Sequence, residues 1–164
     1  MSRPLSQLPI DELIAAIGSD RVAPGAGSAG AVALALAAAC VAKAASISLK
    51  HRPHERELIE TLERSTFLAR AALTEAERDA AAFEDFIHAK SKTATAQLLD
   101  TSQELGELIE ELRALIEKVE PRIEPIVAGD ILAARALAEA ARCIQSRNAT
   151  EARQEQAGEG NRSA

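Results

Sequence analysis

The stretch Ala23 to Leu49, APGAGSAGAVALALAAACVAKAASISL, constrains this chain more than any other. A proline and two glycines lead into a long alanine-dominated run whose one charge is Lys43. Alanine is the strongest helix former, and its single methyl lets neighbouring helices approach closely. The run therefore reads as a central packed helix from about Ser28 to Leu49. Gly25 and Gly27 allow backbone conformations that a Cβ disfavours, and Ser28 is expected to cap the helix. A helix start presented by such a turn points free N–H groups and a partial positive charge at whatever lies in front of it. An anionic or carbonyl-bearing ligand suits that place.

The rest of the 164 residues agrees with helix on helix. Hydrophobic residues make up 47% but aromatics only 2%, so the core is built from Leu, Ile, Val and Ala. One domain of this size has room for a sizeable core. A short helix is predicted over Asp11–Ile17, with Leu13, Ile14 and Ile17 inward and Gly18 as its stop. A third runs from about Glu55 to Ala89, with a stripe Leu58, Leu62, Ser65, Ala69, Ala72, Ala76, Asp79, Phe83, Phe86 at steps of three and four. A fourth covers about Ala94 to Val119 on Leu98, Thr101, Leu105, Leu108, Leu112, Leu115 and Val119, and Pro121 ends it. A fifth runs from near Gly129 to about Ser146. No strand pattern is present, so the expectation is an all-α bundle of about five helices over residues 4–148, followed by a frayed tail over 149–164 without apolar period.

Composition also narrows function. A net charge of −6, no basic patch and almost no rings for base stacking argue against nucleic acid. The uncharged stretch Val22–Ala42 approaches membrane-spanning length, but it begins with Pro24, Gly25 and Gly27 and is mostly alanine, so burial is the expected role. The N-terminus lacks the basic-then-apolar order of a signal peptide. Cys40 and Cys143 match no metal or redox spacing and read as reduced, buried thiols of a cytoplasmic protein. Ala31, Ala35, Ala38 and Ala42 form a small-residue face that is expected to pair two copies into a homodimer, or to pack within one subunit.

Two carboxylates stand out. Asp79 interrupts the apolar stripe of the third helix. Burial there raises a carboxylate's pKa toward the range useful for proton transfer. The alternatives are a buried ion pair with Lys43 or Arg142, or a shift in helix phase. Asp130 stands at a helix start, where Asp is a routine cap. The remaining acids read as solvated surface. His51 and His54, spaced HxxH beside Pro53, have no third ligand in the sequence, so no metal site is expected.

Three ordered segments together resemble the cyclodeaminase/cyclohydrolase family, which includes the cyclodeaminase domain of formiminotransferase-cyclodeaminase and bacterial methenyltetrahydrofolate cyclohydrolases. Its P-G-G-G-S-A-A-A turn and helix is similar to Pro24-Gly25-Ala26-Gly27-Ser28-Ala29-Gly30-Ala31. Its D-x-x-A-F segment is similar to Asp79-Ala80-Ala81-Ala82-Phe83, and its S-D-x-x-x-A-x-x-A-x-A-A stretch to Gly129-Asp130 through Ala140-Ala141. The resemblance implies an all-α homodimer acting on folate one-carbon units without metal or redox cofactor. It closes formiminotetrahydrofolate with release of ammonia, or opens methenyltetrahydrofolate with water. It further implies Asp79 and then Asp130 as acid/base groups. Pro24, Gly25, Gly27, Ser28 and Phe83 would line the substrate pocket, and Lys50 and His51 would lie near an anionic polyglutamate tail. The chain departs from the pattern at Ala26, at Gly129, at the reduced basic segment Ser48-Leu49-Lys50-His51-Arg52, and at Cys143-Ile144-Gln145-Ser146-Arg147-Asn148 in place of an asparagine-rich N-V-x-x-N. It also ends before the family's last helix is complete, which is expected to leave core surface for a dimer partner. The competing expectation is a non-catalytic helical dimer that binds a small ligand or a protein partner.

Overall fold

The computed structural model describes residues 3–89 and 91–162. Within them the chain forms five α-helices and no strand: α1 (Ile10–Ile17), α2 (Ala26–Leu49), α3 (Arg56–Ala89), α4 (Lys92–Val119) and α5 (Ala128–Arg162). Short 3-10 turns lie at Leu5–Gln7, Glu120–Arg122 and Pro125–Val127. The four long helices run up, down, up, down. Helix α2 packs between α3 and α5, and α4 closes the other side against the same two helices, so α2 and α4 face each other across the bundle. Ser91 caps α4, its hydroxyl accepting from the N–H of Ala94 at 3.2 Å.

The alanine run is the spine of this arrangement. Ala31, Ala35, Ala37, Ala38, Ala44 and Ala45 are buried together with Leu34 and Val41. Opposite them stand Leu58, Leu68 and Ala72 of α3, Ile109, Leu112 and Ile116 of α4, and Ile131, Ala134 and Ala138 of α5. Small residues on several faces of α2 let two neighbouring helices close on it at once. The helix is long and apolar enough to cross a membrane by length and composition, and about half of its residues are buried inside the bundle. The face expected to join two copies is used there too: Ala31, Ala35 and Ala38 are buried within one subunit, and the exposed side of α2 carries Leu36, Ala39 and Lys43 instead.

Several other expectations are corrected. Helix α5 continues past Ser146 to Arg162 where a frayed tail was expected. Ala149 and Ala152 are buried against the bundle, and methyl-sized side chains leave almost no hydropathy signal among polar neighbours. In α1 the inward residue is Ala16, while Ile14 points outward. Cys40 is half-buried and Cys143 exposed, and both are free thiols.

Candidate active site

At the end where α2 begins, a carboxylate and a hydroxyl meet inside the bundle. Helix α2 starts from Gly25, so Ser28 lies inside its first turn rather than at its cap. Ser28 is fully buried, and its hydroxyl donates to Oδ2 of Asp79 at 2.9 Å. The backbone N–H of Ser28 also favours the charged carboxylate. Asp79 thus does from α3 what a capping side chain does from within a helix: it offers oxygen to the free donors and the positive dipole end of α2.

Gly27 makes this approach possible. A Cβ at that position would stand 2.1 Å from Oδ1 of Asp79 and 2.5 Å from its Cγ. Only a residue without a side chain lets the carboxylate rest on the helix start. By contrast, a Cβ on Gly25 would meet nothing within 4 Å.

Among the described residues, no cation pairs with Asp79. The two cations that the sequence offered it are engaged elsewhere: Lys43 pairs with Asp130 at 2.8 Å, and Arg142 with Glu139 at 2.6 Å. Burial is therefore the largest influence on Asp79 and lifts its pKa above the ordinary carboxylate value, while the Ser28 hydroxyl and N–H pull part of the way back. A partly buried acid with a raised pKa and a hydrogen-bond donor on one oxygen is equipped to hold or release a proton.

It faces a cavity of about 290 Å³, bounded by the start of α2, the second half of α3, the first half of α4 and the second half of α5. Gly25 and Gly27 form one wall, Asp79, Phe83 and Phe86 another. Helix α5 contributes Gln145 and Asn148, whose amides give the cavity neutral donors and acceptors. Gln145 is held in place by donating from Nε2 to the backbone oxygen of Ser102 at 2.9 Å. Gly106 on α4 permits that contact, since a Cβ there would come within 3.1 Å of the same nitrogen.

The expected site residues divide into two groups. Gly25, Gly27, Asp79 and Phe83 line the cavity, and Ser28 supports Asp79 from behind. Pro24 is buried next to them but faces a separate groove shared with Leu8 and Ala16. Asp130, Lys50 and His51 are not with them. Asp130 sits in the first turn of α5, bound to Lys43. Ser28 and Lys43 are fifteen residues apart on α2, about 22 Å of helix axis. Lys50 and His51 follow the other end of α2 and are exposed. Within one chain the two aspartates therefore do not converge, because the antiparallel packing sends the start of α5 to the far end from the start of α2. Residues that sequence reasoning did not assign to the site include Glu75, Gln145, Asn148 and Glu151. Gln145, Asn148 and Glu151 recur every three residues along α5, a polar helical stripe that is visible once the helix is known to continue.

Comparisons with known proteins agree with this architecture. No curated protein matches the chain in sequence. Among solved structures it is similar to the formiminotetrahydrofolate cyclodeaminase of Thermotoga maritima, with a TM-score of 0.84 and 21% identity over 92% of this chain and 81% of that one. At that identity the likeness shows a shared fold. The family model described as formiminotransferase-cyclodeaminase matches residues 9–150, most of the described helices and every element around the cavity except the last turns of α5. The chain belongs to the formiminotransferase-cyclodeaminase family.

Proposed function

We propose that this protein is a folate one-carbon enzyme in which Asp79 moves the proton. The substrate is formiminotetrahydrofolate, closed to the methenyl ring with loss of ammonia, or methenyltetrahydrofolate, opened by water to the formyl compound. The observation that carries the reading is the placement of Asp79: an acid with a raised pKa, on the wall of a cavity, fixed by Ser28 at the start of α2.

Both reactions pass through a tetrahedral carbon between two folate nitrogens. In ring closure one nitrogen attacks the formimino carbon, and the departing nitrogen leaves as ammonia only once it is protonated. In ring opening water attacks and loses a proton, and a ring nitrogen gains one. A carboxyl group whose pKa burial has raised serves either direction, since its protonated form can donate and its ionised form can accept. Phe83 and Phe86, with ring centroids 6.3 Å apart and planes inclined at 32°, supply aromatic surface against which a pterin-like ring can pack. The cavity's volume lies near the lower limit of ligand pockets, so it suits the ring and its one-carbon unit, with the remaining tail leaving through the mouth.

The test is to follow methenyltetrahydrofolate absorbance with the purified wild type and Asp79→Asn, together with ammonia release from the formimino compound. The wild type is expected to accelerate one of the two reactions and Asp79→Asn neither. A wild type that accelerates neither overturns the catalytic reading. Binding measured by calorimetry in that same preparation would favour a non-catalytic folate-binding bundle.

A further inference from the structure

Glu75 lies one helical turn before Asp79 on α3, in the segment LTEAERDAAAF, and the two carboxylates share a helix face. Despite its charged neighbours Glu77 and Arg78, Glu75 is only 6% exposed and lines the cavity. One of its oxygens, Oε1, accepts from Arg78 at 2.9 Å. The other, Oε2, is sealed from bulk water and has no hydrogen-bond partner. Buried polar atoms are almost always paired; here the Glu104 carboxyl stands beside Glu75 and, like it, offers oxygen, so the pair lacks a donor that either a proton shared between the two carboxyls or an N–H group from outside the chain would supply. Arg78 does not explain the burial, because it is also held from α4 by Glu104 and by Asp100, both closer to solvent.

The surroundings define what that partner must be. The described residues around the cavity include four carboxylates, Glu75, Asp79, Glu151 and Glu155, and no lysine, arginine or histidine. An unpaired carboxylate oxygen accepts hydrogen bonds and attracts positive charge. We propose that Glu75 is a ligand-binding carboxylate of this cavity, which turns its unpaired oxygen toward the cavity to accept from an N–H group or cationic nitrogen on a planar heterocycle lying along Phe83 and Phe86. The choice of a folate as that heterocycle rests on the function proposed above; the role of Glu75 does not.

The experiment measures binding to the full chain by calorimetry with two probes, methenyltetrahydrofolate and benzamidine, a planar aromatic amidinium. Glu75→Gln keeps the shape and removes the charge. Its Kd for whichever probe the wild type binds is expected to rise at least tenfold. Asp100→Asn removes a partner of Arg78 from outside the cavity and is expected to leave Kd within twofold. Equal Kd values for wild type and a folded Glu75→Gln overturn the assignment. Should Glu75→Gln not fold, Glu75→Asp keeps the charge but withdraws it by one methylene; a Kd raised at least threefold supports the assignment, and an unchanged Kd overturns it. A chain that folds in neither variant makes Glu75 a structural residue and also overturns it. Loss of the folate reading is recognised separately: the wild type then ignores the folate, and the role of Glu75 stands if benzamidine binds and Glu75→Gln weakens it. A wild type that binds neither probe overturns both.

Discussion

Asp79 and Asp130 occupy opposite ends of one bundle, and each lies at the start of a helix. Asp79 meets the start of α2 from a neighbouring helix, rests on Gly27, and has a hydroxyl but no cation as partner. Asp130 lies in the first turn of its own helix and is paired with Lys43, whose side chain is 60% exposed. The same side chain is thus an acid shielded from water at one end and half of a solvated ion pair at the other. Chemistry follows from the surroundings, not from the residue type: burial without a cation makes the protonated form of Asp79 accessible.

The largest effect expected is on turnover in Asp79→Asn, a loss of roughly 10²–10⁴-fold in the folate assay. Asp130→Asn in the same assay is expected to have an effect at least tenfold smaller; an equal loss would break the contrast between the two ends. Stability separates the residues further. Because burial raises the folded-state pKa of Asp79, its ionisation opposes folding as pH rises through that value. Asp79→Asn lacks this opposition. Its Tm at pH 7 is therefore expected to equal or exceed that of the wild type, and the advantage is expected to vanish as pH falls toward the ordinary value of 3.8. A clear drop in Tm at pH 7 would instead reveal a stabilising partner for Asp79.

Gly27→Ala comes next. The added methyl displaces the Asp79 carboxylate, so activity is expected to fall at least tenfold, whereas Gly25→Ala, with open space around it, should retain most of it. Equal rates for the two variants would show that close contact with the start of α2 is not what positions the acid. Ser28→Ala is milder. It removes one buried hydrogen bond, about 1 kcal/mol of stability by chemical denaturation, and moves the acid limb of the pH–rate profile upward, since the hydroxyl was stabilising the charged form. The smallest effect belongs to Lys43→Ala, which breaks a solvent-exposed pair and is expected to leave Tm nearly unchanged.

Much of this was readable from the chain, for identifiable reasons. The helices declare themselves through steps of three and four, and Asp79 through a charge on an apolar stripe. Glu75 is missed when the glutamates are all read as solvated surface, although its spacing of three from Ala72 and four from Asp79 puts it beside the apolar stripe, unlike Glu77. The final turns of α5 were hidden because alanine carries packing without much hydropathy. Lys50, His51 and Asp130 were grouped with Asp79 on a resemblance in linear order, and linear order does not state which end of an antiparallel bundle a residue reaches. Ser28 reads as a helix cap in the sequence, but the helix begins at Ala26 and places that hydroxyl within reach of α3.

The wall of the cavity contributed by Gln145, Asn148 and Glu151 has a consequence for how the molecule comes into being. On the ribosome, Asp79 emerges and can dock on α2 long before those residues are synthesised. A nascent chain at that stage holds Asp79 against α2 but lacks this wall, so the cavity is closed only when the last helix seats.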